Sequence, residues 1–265
     1  MPGRGSSLEQ ERAAGADVRV VYSPLDALHW AEKEPEREFV FAAVGFETTA
    51  PATAAALMRA SGQGLRNFSA LALHKRIPPA MEAVLDGARR LDGFLAPGHV
   101  SVVIGANAYE ELALRHNAPC VATGFEPEDI VEGIAMLAGM IAEGRSESLI
   151  QYRRAVRPEG NPRALAAMER VFEPCDSQWR GLGILPASGL RLREDWRGWE
   201  AAERFDLPAV AAQDPPGCLC GQVLKGLIDP PRCPLFGGAC NPRHPVGPCM
   251  VSCEGACAAR YEYGE

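Results

Sequence analysis

The fold class is indicated most clearly by residues 39–62, FVFAAVGFETTAPATAAALMRASG. Residues 39–44 form an apolar run rich in aromatic and β-branched side chains, which is typical of a buried strand. A Gly-Phe-Glu turn follows, and an alanine-rich helix is expected from Pro51 because proline is favoured in the first helical turn. A strand that passes through a glycine turn into a helix is the repeating unit of α/β proteins.

The same alternation recurs through residues 18–143. Strands are predicted at residues 18–22, 39–44, 68–73, 97–104 and 120–123, and helices at residues 24–33, from 51, 79–90, 107–116 and 127–143. Alternation at this interval is typical of parallel sheets covered on both faces. The triplet Gly-Phe-Glu occurs after two of these strands, at residues 45–47 and 124–126. The predicted fold class is α/β, with two related parallel-sheet units around a cleft and a loop- and helix-rich C-terminal part that bears the cysteines.

The regular alternation of strands and helices ends after residue 146. Three domains are expected. Residues 1–105 are predicted to form the first α/β unit, residues 106–200 the second unit with its connecting helices, and residues 201–265 the cysteine-rich region. A helix is predicted at residues 161–172, a glycine-rich link at 179–183 and a further helix at 193–205.

Three acidic or imidazole side chains are candidate catalytic residues. Ligands of parallel α/β sheets bind outside the carboxyl ends of the strands, where Glu47 is expected. His99 follows a Pro-Gly pair, so it either satisfies a backbone carbonyl or serves as a metal ligand or acid–base group. Glu254 lies between Cys253 and Cys257, where it is either a solvated cap or part of a site.

Seven of the nine cysteines lie in the last 48 residues, a stretch rich in glycine and proline. Their spacing is Cys218-x14-Cys233-x6-Cys240-x16-Cys257, and Cys220 is an alternative first member at x12. Such a stretch has too few apolar side chains to offset its ordering entropy, roughly 1–2 kcal/mol per residue for the backbone. Thiolate chemistry is therefore expected to hold it together.

Three kinds of cysteine site are considered. Disulfides are disfavoured because seven is an odd number and the N-terminus does not resemble a secretion signal. Structural zinc is disfavoured because no C-x2-C knuckle occurs, although Cys249, Cys253 and Cys257 would share one helix face. An iron–sulfur cluster is favoured, since its four thiolates can come from cysteines scattered over loops. A zinc-stabilised α/β binding module with structural cysteines remains the alternative.

Composition narrows the remaining functional classes. The chain has 265 residues, of which 47% are hydrophobic and 23% charged, and its net charge is −7. An acidic chain with scattered basic residues argues against a nucleic-acid surface. The longest uncharged apolar run, residues 133–142, is far shorter than the roughly 20 residues that span a bilayer. A cytoplasmic protein that contacts neither nucleic acid nor membrane is expected.

Several motifs in order resemble one known family, the hydrogenase maturation family HypD. They are VVYSPLDAL at 20–28, VGFETTAP at 44–51, PGHVS at 97–101, WRGLG at 179–183, PCMVS at 248–252 and EGAC at 254–257. The cysteine spacing is similar as well, and the resemblance extends from about residue 3 to the C-terminus.

The resemblance implies a scaffold rather than a conventional enzyme. HypD proteins work with a small HypC-type chaperone to hold an iron atom while two cyanides and one carbonyl are attached. A HypE-type protein delivers the cyanide, and the Fe(CN)2CO unit passes to the large subunit of a [NiFe]-hydrogenase. The implied fold has two α/β domains flanking a cleft and a C-terminal part with a [4Fe–4S] cluster that relays electrons.

The resemblance also implies site residues in this chain. The cluster ligands would be Cys233, Cys240 and Cys257, with Cys218 or Cys220 as the fourth. Cys218 is preferred, and its neighbour would then be a redox-exchanging thiol. His99 and Glu254 match positions that the family uses near its cleft.

Two family motifs are not found in this sequence. Family members carry a Cys-Gly-Thr-His motif that supplies the iron-binding thiol and a Gly-Pro-Gly-Cys-Pro-Val-Cys motif that supplies a redox pair. No cysteine precedes Cys120 here. An N-terminally truncated member, or a wrongly chosen start, is therefore expected, with impaired binding of the iron unit because that iron requires a soft thiolate ligand.

Overall fold

The computed structural model describes residues 6–208 and 214–264. Its strands are β1 Phe39–Gly45, β2 Phe68–His74, β3 Phe94–Pro97, β4 Cys120–Thr123, β5 Ser148–Ile150, β6 Phe172–Trp179 and β7 Gly183–Leu192. Its α-helices are α1 Leu8–Ala13, α2 Pro24–Lys33, α3 Ala50–Gly62, α4 Ile77–Leu85, α5 Gly98–Ile104, α6 Glu110–His116, α7 Pro127–Glu143, α8 Pro162–Val171, α9 Ala201–Arg204, α10 Cys220–Leu224, α11 Pro248–Val251 and α12 Ala256–Tyr263. Short 3-10 helices lie at Ala106–Tyr109, Glu194–Trp199 and Pro230–Arg232. No helix in these ranges is both long and apolar enough to cross a membrane.

The first unit is built on the parallel pair β1–β2, in which Phe39 lies opposite Phe68 and Gly45 opposite His74. One face of this pair packs on α2 and α3 through a core made largely of alanine and leucine. Helix α2 begins where the sequence predicts, because Ser23 Oγ accepts a hydrogen bond from the N–H of Leu25 and the Asp26 carboxylate accepts one from the N–H of Ser23.

The second unit is the three-stranded parallel sheet β3-β4-β5. Strand β4 is central and fully buried, and α7 packs against it. Helix α7 begins with a capping box between Glu126 and Asp129 and ends at Gly144, whose left-handed φ of 66° stops the helix. Both units are thus parallel α/β units, as the strand–helix alternation predicts.

An antiparallel hairpin, β6–β7, packs against β2 and α4 through β7 and against α8 through β6. Its turn falls in the predicted glycine-rich link, where Gly181 and Gly183 adopt positive φ values of 86° and 80°. An isolated antiparallel bridge joins Lys75, the residue after β2, to Gly189 in β7. The hairpin was not predicted, since its pairing depends on contacts between separate segments rather than on local pattern.

Two predicted strands are wrong. Residues 18–22 have no regular secondary structure, and Arg19 instead pairs with Asp17 and Glu34 while it lies over the rings of Trp30 and Phe39. Within the segment predicted as a strand at 97–104, the structure has the end of β3 followed by helix α5. A short apolar run does not distinguish a buried strand from a buried helix, and tertiary packing decides the outcome here. The helix predicted at 193–205 is also wrong in part, because it divides into a 3-10 helix and α9.

The C-terminal part, residues 214–264, consists of short helices and turns around its own small core. Four of the seven buried residues of that core are cysteines, and the other three are Val223, Met250 and Ala258. The region therefore depends on sulfur rather than on long aliphatic side chains, as its composition predicts.

Candidate functional site

Six cysteines line one apolar cavity in the C-terminal part. The side chains of Leu235, Phe236 and Met250 complete its wall, together with Gly247. The six are Cys218, Cys220, Cys233, Cys240, Cys249 and Cys257. The seventh cysteine of the tail, Cys253, is exposed and does not line the cavity.

A disulfide divides these six cysteines into two groups. Cys220 at the start of α10 is bonded to Cys249 in α11, with their Cα atoms 6.2 Å apart. Cys218, Cys233, Cys240 and Cys257 remain free thiols. Of the two alternative first members of the cysteine pattern, only Cys218 thus has a sulfur free to bind a metal in this structure.

Loops with well-defined turns position the free thiols. Cys233 follows a 3-10 helix and its N–H donates to the carbonyl of Pro230, while the Cys240 N–H donates to Leu235. The backbone N–H of Val246 donates to Cys240 Sγ over 3.3 Å. Cys257 lies in the first turn of α12. Three separate segments therefore converge on the cavity.

The four free thiols are close enough to influence one another electrostatically. Burial, with smaller contributions from Cys233, Cys240 and Cys218, raises the pKa of Cys257 to about 11. Burial and the charges of Cys233 and Cys240 likewise raise the pKa of Cys218. The deprotonated forms of Cys218 and Cys257 are therefore disfavoured in the absence of a neighbouring positive charge.

Glycines allow the backbone to approach the cavity. A Cβ added at Gly247 would lie 2.6 Å from Cys218 Sγ, and one added at Gly255 would lie 2.2 Å from the carbonyl oxygen of Cys249. Any larger residue at these positions would displace the cysteine that it faces. The glycines are thus required for the close packing of the cavity wall.

The donor set can be compared with what each metal group requires. Among the described residues, no three His, Cys, Asp or Glu side chains are grouped closely enough to hold a single metal ion. A structural zinc site places its thiolates about 2.3 Å from one central ion. In a [4Fe–4S] cluster each cysteine binds a different iron atom, so the four sulfurs stand farther apart. Four free thiols around one apolar cavity equal in number the thiolates that a [4Fe–4S] cluster requires.

The predicted acid Glu254 lies near this cavity but points to solvent. It is exposed, and its backbone N–H donates to Ser252 Oγ over 3.2 Å. Its neighbour Cys257 lines the cavity. The backbone of Glu254 is thus near the thiols, and its carboxylate forms no hydrogen bond or ion pair within the described residues.

Glu47 lies at the end of β1 and is 2% exposed. Both carboxylate oxygens accept a hydrogen bond from the N–H of Ile77, at 3.0 and 3.1 Å, so the side chain caps the start of α4. Burial raises its pKa, an effect that the two backbone hydrogen bonds and Arg76 partly oppose. A carboxyl group in this setting positions α4 beside the first sheet.

His99 is exposed in α5, and its ring lies 4.4 Å from the ring of Phe125. The preceding residue, Gly98, permits this position, since a Cβ there would come within 2.1 Å of the carbonyl oxygen of Thr123. The imidazole thus sits at the carboxyl end of β4, where parallel sheets bind ligands. The structure does not bring His99 into contact with Glu47, Glu254 or the cavity cysteines.

A second aromatic pair marks the end of the first sheet and was missed in the sequence. Phe46 stacks on Trp179 with ring centroids 6.1 Å apart, and Lys75 Nζ lies 6.0 Å from the Trp179 ring. Lys75 Nζ also donates to the hydroxyl of Ser177 and to the carbonyl of Gln178. Burial lowers the pKa of Lys75. The repeated Gly-Phe-Glu triplet was the available signal, because each phenylalanine forms a ring contact at a strand end.

The hairpin turn connects that strand end to the cysteine cavity. A Cβ on Gly221 would lie 2.1 Å from the carbonyl oxygen of Gly181, and one on Gly181 would lie 3.4 Å from Cys220 Sγ. The hairpin turn thus packs directly against the disulfide. The disulfide between Cys220 and Cys249 corrects the sequence prediction, which disfavoured disulfides because seven is an odd number.

Comparison with known proteins is consistent along the whole chain. A family described as "HypD: Hydrogenase formation hypA family" matches residues 1–264. The chain is 47% identical to hydrogenase maturation factor HypD of Rhizobium leguminosarum bv. viciae, over all of this chain and 71% of the relative. It is 44% identical to hydrogenase maturation factor HypD of Escherichia coli K12, over 99% of this chain and 71% of the relative.

A more distant relative gives the same result. The chain is 41% identical to a putative hydrogenase expression/formation protein of Methanocaldococcus jannaschii, over 99% of this chain and 74% of that protein. Bacterial and archaeal relatives therefore agree over the same extent, including both α/β units and the cysteine-rich part. The chain belongs to the HypD family of hydrogenase formation proteins.

Proposed function

We propose that the chain is a scaffold for the maturation of [NiFe]-hydrogenases. In this role it works with a small HypC-type chaperone to assemble an Fe(CN)2CO unit, for which a HypE-type protein donates cyanide. The finished unit passes to the large subunit of the hydrogenase. Family membership supports this proposal, together with an α/β body that has exposed aromatic and imidazole side chains at its strand ends.

We further propose that Cys218, Cys233, Cys240 and Cys257 hold a [4Fe–4S] cluster. The observation that carries this proposal is that these four thiols are free and line one apolar cavity, whereas Cys220 is bonded to Cys249. When bound, a [4Fe–4S] cluster supplies one-electron transfer.

The chain's own residues account for the properties that such a site needs. The thiols of Cys233, Cys240 and Cys257 are buried, and the apolar wall around them excludes water. The Val246 N–H that donates to Cys240 Sγ would stabilise the thiolate form of this ligand. Hydrogen bonds to the ligand sulfurs are one of the factors that set a cluster's reduction potential.

The adjacent disulfide fits a redox role. Cys220 and Cys249 line the same cavity as the four ligand candidates, and the hairpin turn at Gly181 packs on Cys220. Reduction of this bond takes up two electrons and two protons and yields two thiols. We propose that Cys220 is a redox-exchanging thiol of this site, with Cys249 as its disulfide partner.

The strand-end residues are proposed to serve the iron unit and its partners. His99 is exposed at the carboxyl end of β4, where an imidazole could bind iron or transfer a proton. Glu254 is exposed beside the thiols and would act on the same cargo only if partner binding brings the two regions together. Glu47, which is buried under α4, would act by holding α4 in position rather than by contact with the cargo.

Anaerobic co-expression with a HypC-type chaperone tests the proposal. The chain should co-purify with the chaperone at equal stoichiometry and carry the broad visible absorption of an iron–sulfur cluster. A His99→Ala variant should retain that absorption, because His99 lies outside the cysteine cavity. Failure of the chain to retain the chaperone, or a colourless protein that contains zinc, would contradict the proposal.

A further inference from the structure

A groove of about 480 Å³ lies beside the cysteine cavity and opens to the surface. Its walls come from the end of α4, from the turn of the β6–β7 hairpin with part of β7, and from residues 214–227 of the C-terminal part. A volume of this size is typical of small-molecule sites. We call this space the Cys218 groove. Four leucines supply much of its apolar lining: Leu182, Leu185, Leu219 and Leu227.

Hydrogen bonds hold the walls of the Cys218 groove in place. The Asp214 carboxylate accepts from the Gly181 N–H over 2.6 Å, which ties the C-terminal part to the hairpin turn. Lys225 Nζ donates to the Asp86 carbonyl over 2.8 Å, and the Lys225 carbonyl accepts from the Arg90 N–H over 2.9 Å. The groove is therefore built between segments that are tied to one another.

Cys218 joins the groove to the cysteine cavity. It is half-buried and lines both spaces, and its Sγ lies close to Gly247, where an added Cβ would be 2.6 Å away. The other three proposed ligands line the cavity but not the groove, and they are buried. They are Cys233, Cys240 and Cys257, which are 8%, 6% and 8% exposed. A molecule that enters the groove therefore meets Cys218 before any other proposed ligand.

The chemistry of the donor set limits what is able to replace a ligand here. Sites with thiolate ligands suit soft metal centres, so a group that replaces one cysteine is expected to be another soft donor. The groove also carries the carboxyl groups of Asp86 and Asp214 and the amino group of Lys225. Two acids against one base disfavour an approaching anion, so the donor enters in its neutral, protonated form. Thiols and hydrogen cyanide are small neutral molecules that become soft anions when they lose a proton.

We propose that Cys218 is the exchangeable ligand of the cluster and that the Cys218 groove admits the small soft donor, a thiol or hydrogen cyanide, that replaces it. In this exchange the bond between iron and Cys218 Sγ breaks, and a bond forms between iron and the sulfur or carbon of the donor. The proton of the donor passes to the Cys218 thiolate, and no electrons are transferred. The inference rests on the proposed cluster and adds ligand binding to its electron transfer.

Chemical rescue of the full chain tests the exchange. Anaerobic reconstitution of Cys218→Ala without an added donor should give little iron or sulfide. Reconstitution with 2-mercaptoethanol, or in a second arm with one equivalent of cyanide, should restore about four irons and four sulfides per chain. An infrared band that shifts with isotopically labelled cyanide distinguishes the second donor from the first. Cys240→Ala is the matched control and should stay without a cluster, because Cys240 is buried and does not line the groove.

Two variants of helix α10 test the route through the groove. Gln222 is exposed and lines the groove, whereas Leu224 lies on the same helix, is 36% exposed and does not line it. In the Cys218→Ala background, Gln222→Trp should slow the rescue at least about tenfold, because the indole ring takes up part of the groove. Leu224→Trp adds the same ring outside the groove and should leave the rescue unchanged.

Alkylation of the metal-free chain gives a second measurement that needs no cluster. With the disulfide intact, iodoacetamide should modify Cys218 at least about tenfold faster than the three buried ligands, as followed by peptide mass spectrometry. Gln222→Trp should slow this reaction, and Leu224→Trp should not. Equal rates at all four thiols, or no effect of Gln222→Trp, would overturn the assigned route.

The outcomes of the rescue separate this inference from the proposed function. Circular dichroism first confirms that each variant is folded. A wild-type chain that holds its cluster, while Cys218→Ala gains none with either donor, would overturn the inference and leave the cluster intact. Equal rescue of Cys240→Ala would also overturn it, because the exchange would then not be specific to Cys218. A wild-type chain without iron and sulfide would contradict the proposed cluster and, with it, the inference.

Discussion

The disulfide and the free thiols have different roles in the C-terminal part, since the first stabilises it and the second are proposed to bind the cluster. Two variants separate these roles. In the double variant Cys220→Ala/Cys249→Ala the disulfide is lost, but all four proposed ligands are kept. In Cys218→Ala the disulfide is kept, but one ligand is lost. We expect the first change to lower stability while the cluster still assembles, and the second to abolish the cluster with little effect on the stability of the metal-free chain.

The size of the stability effect follows from the loop that the disulfide closes. Cys220 and Cys249 are 29 positions apart. Cross-linking a loop of that length removes conformational entropy from the unfolded chain that corresponds to about 3–4 kcal/mol at 25 °C in the chain-entropy model. Alanine rather than serine is used because both positions are buried, and an unpaired hydroxyl there would add about 1–3 kcal/mol of its own.

Hydrogen exchange of residues 214–264 in metal-free protein measures this effect, since it reports the local free energy of opening. The free energy of opening in the oxidised wild-type chain should exceed that of the double variant and that of the reduced wild-type chain by about 3–4 kcal/mol. Iron content after anaerobic reconstitution is measured on the same samples. The reasoning would be refuted if reduction leaves the opening free energy unchanged, or if Cys218→Ala keeps its iron while the double variant loses it.

Three further predictions concern the α/β units. Asn67 donates from Nδ2 to three backbone carbonyls at 2.9, 3.1 and 2.9 Å, so Asn67→Ala should lower the free energy of unfolding in urea by about 1–3 kcal/mol, and no change would contradict its role. Burial raises the pKa of Glu47 above its usual 4.5, so its contribution to stability is present below that pH and is lost as pH rises through the folded pKa. In urea titrations at several pH values, Glu47→Gln should therefore weaken the dependence of the unfolding free energy on pH. An unchanged pH dependence would contradict this reasoning. Arg154 lowers the pKa of Asp129 to about 2, so the ion pair stabilises the fold above pH 3.8 and does so less as pH falls. Acid unfolding of Arg154→Ala, followed by circular dichroism, should therefore occur at higher pH. An acid midpoint identical to that of the wild-type chain would exclude this pairing.

Local signals in the sequence were sufficient for much of the α/β body. Helix α2 has its predicted bounds because Ser23 and Pro24 form a cap and first turn that are visible in the sequence. Helix α7 has its predicted bounds for the same reason, with Pro127 at its start and Gly144 after its end. Strand β4 also matches, since a buried central strand is apolar at every position.

Non-local packing explains the elements that the sequence did not predict. The apolar run after Pro97 is helical because Gly98 packs against the carbonyl oxygen of Thr123 and Ser101 Oγ donates back to the Pro97 carbonyl. The run at residues 18–22 has strand-like composition, yet it has no neighbouring strand with which to pair in the described structure. A strand requires a partner, and local composition does not provide that information.

The cysteine pattern located residues that line the cavity but did not predict the disulfide among them. Spacing alone left Cys218 and Cys220 as alternatives, since they differ by only two positions. The structure separates them because Cys220 meets Cys249 across 29 positions, a distance in sequence that no local motif records. The exposure of Cys253 is likewise a consequence of how α11 and α12 pack.

The central claim is that four free thiols form an iron–sulfur site, and metal and sulfide analysis tests it most directly. Iron, acid-labile sulfide and zinc are measured on anaerobically purified chain, with Cys240→Ala as the ligand variant and Cys253→Ala as the matched control at an exposed cysteine. We predict about four irons and four sulfides per chain, lost in Cys240→Ala and retained in Cys253→Ala. One zinc and no sulfide in the wild-type chain would contradict the account.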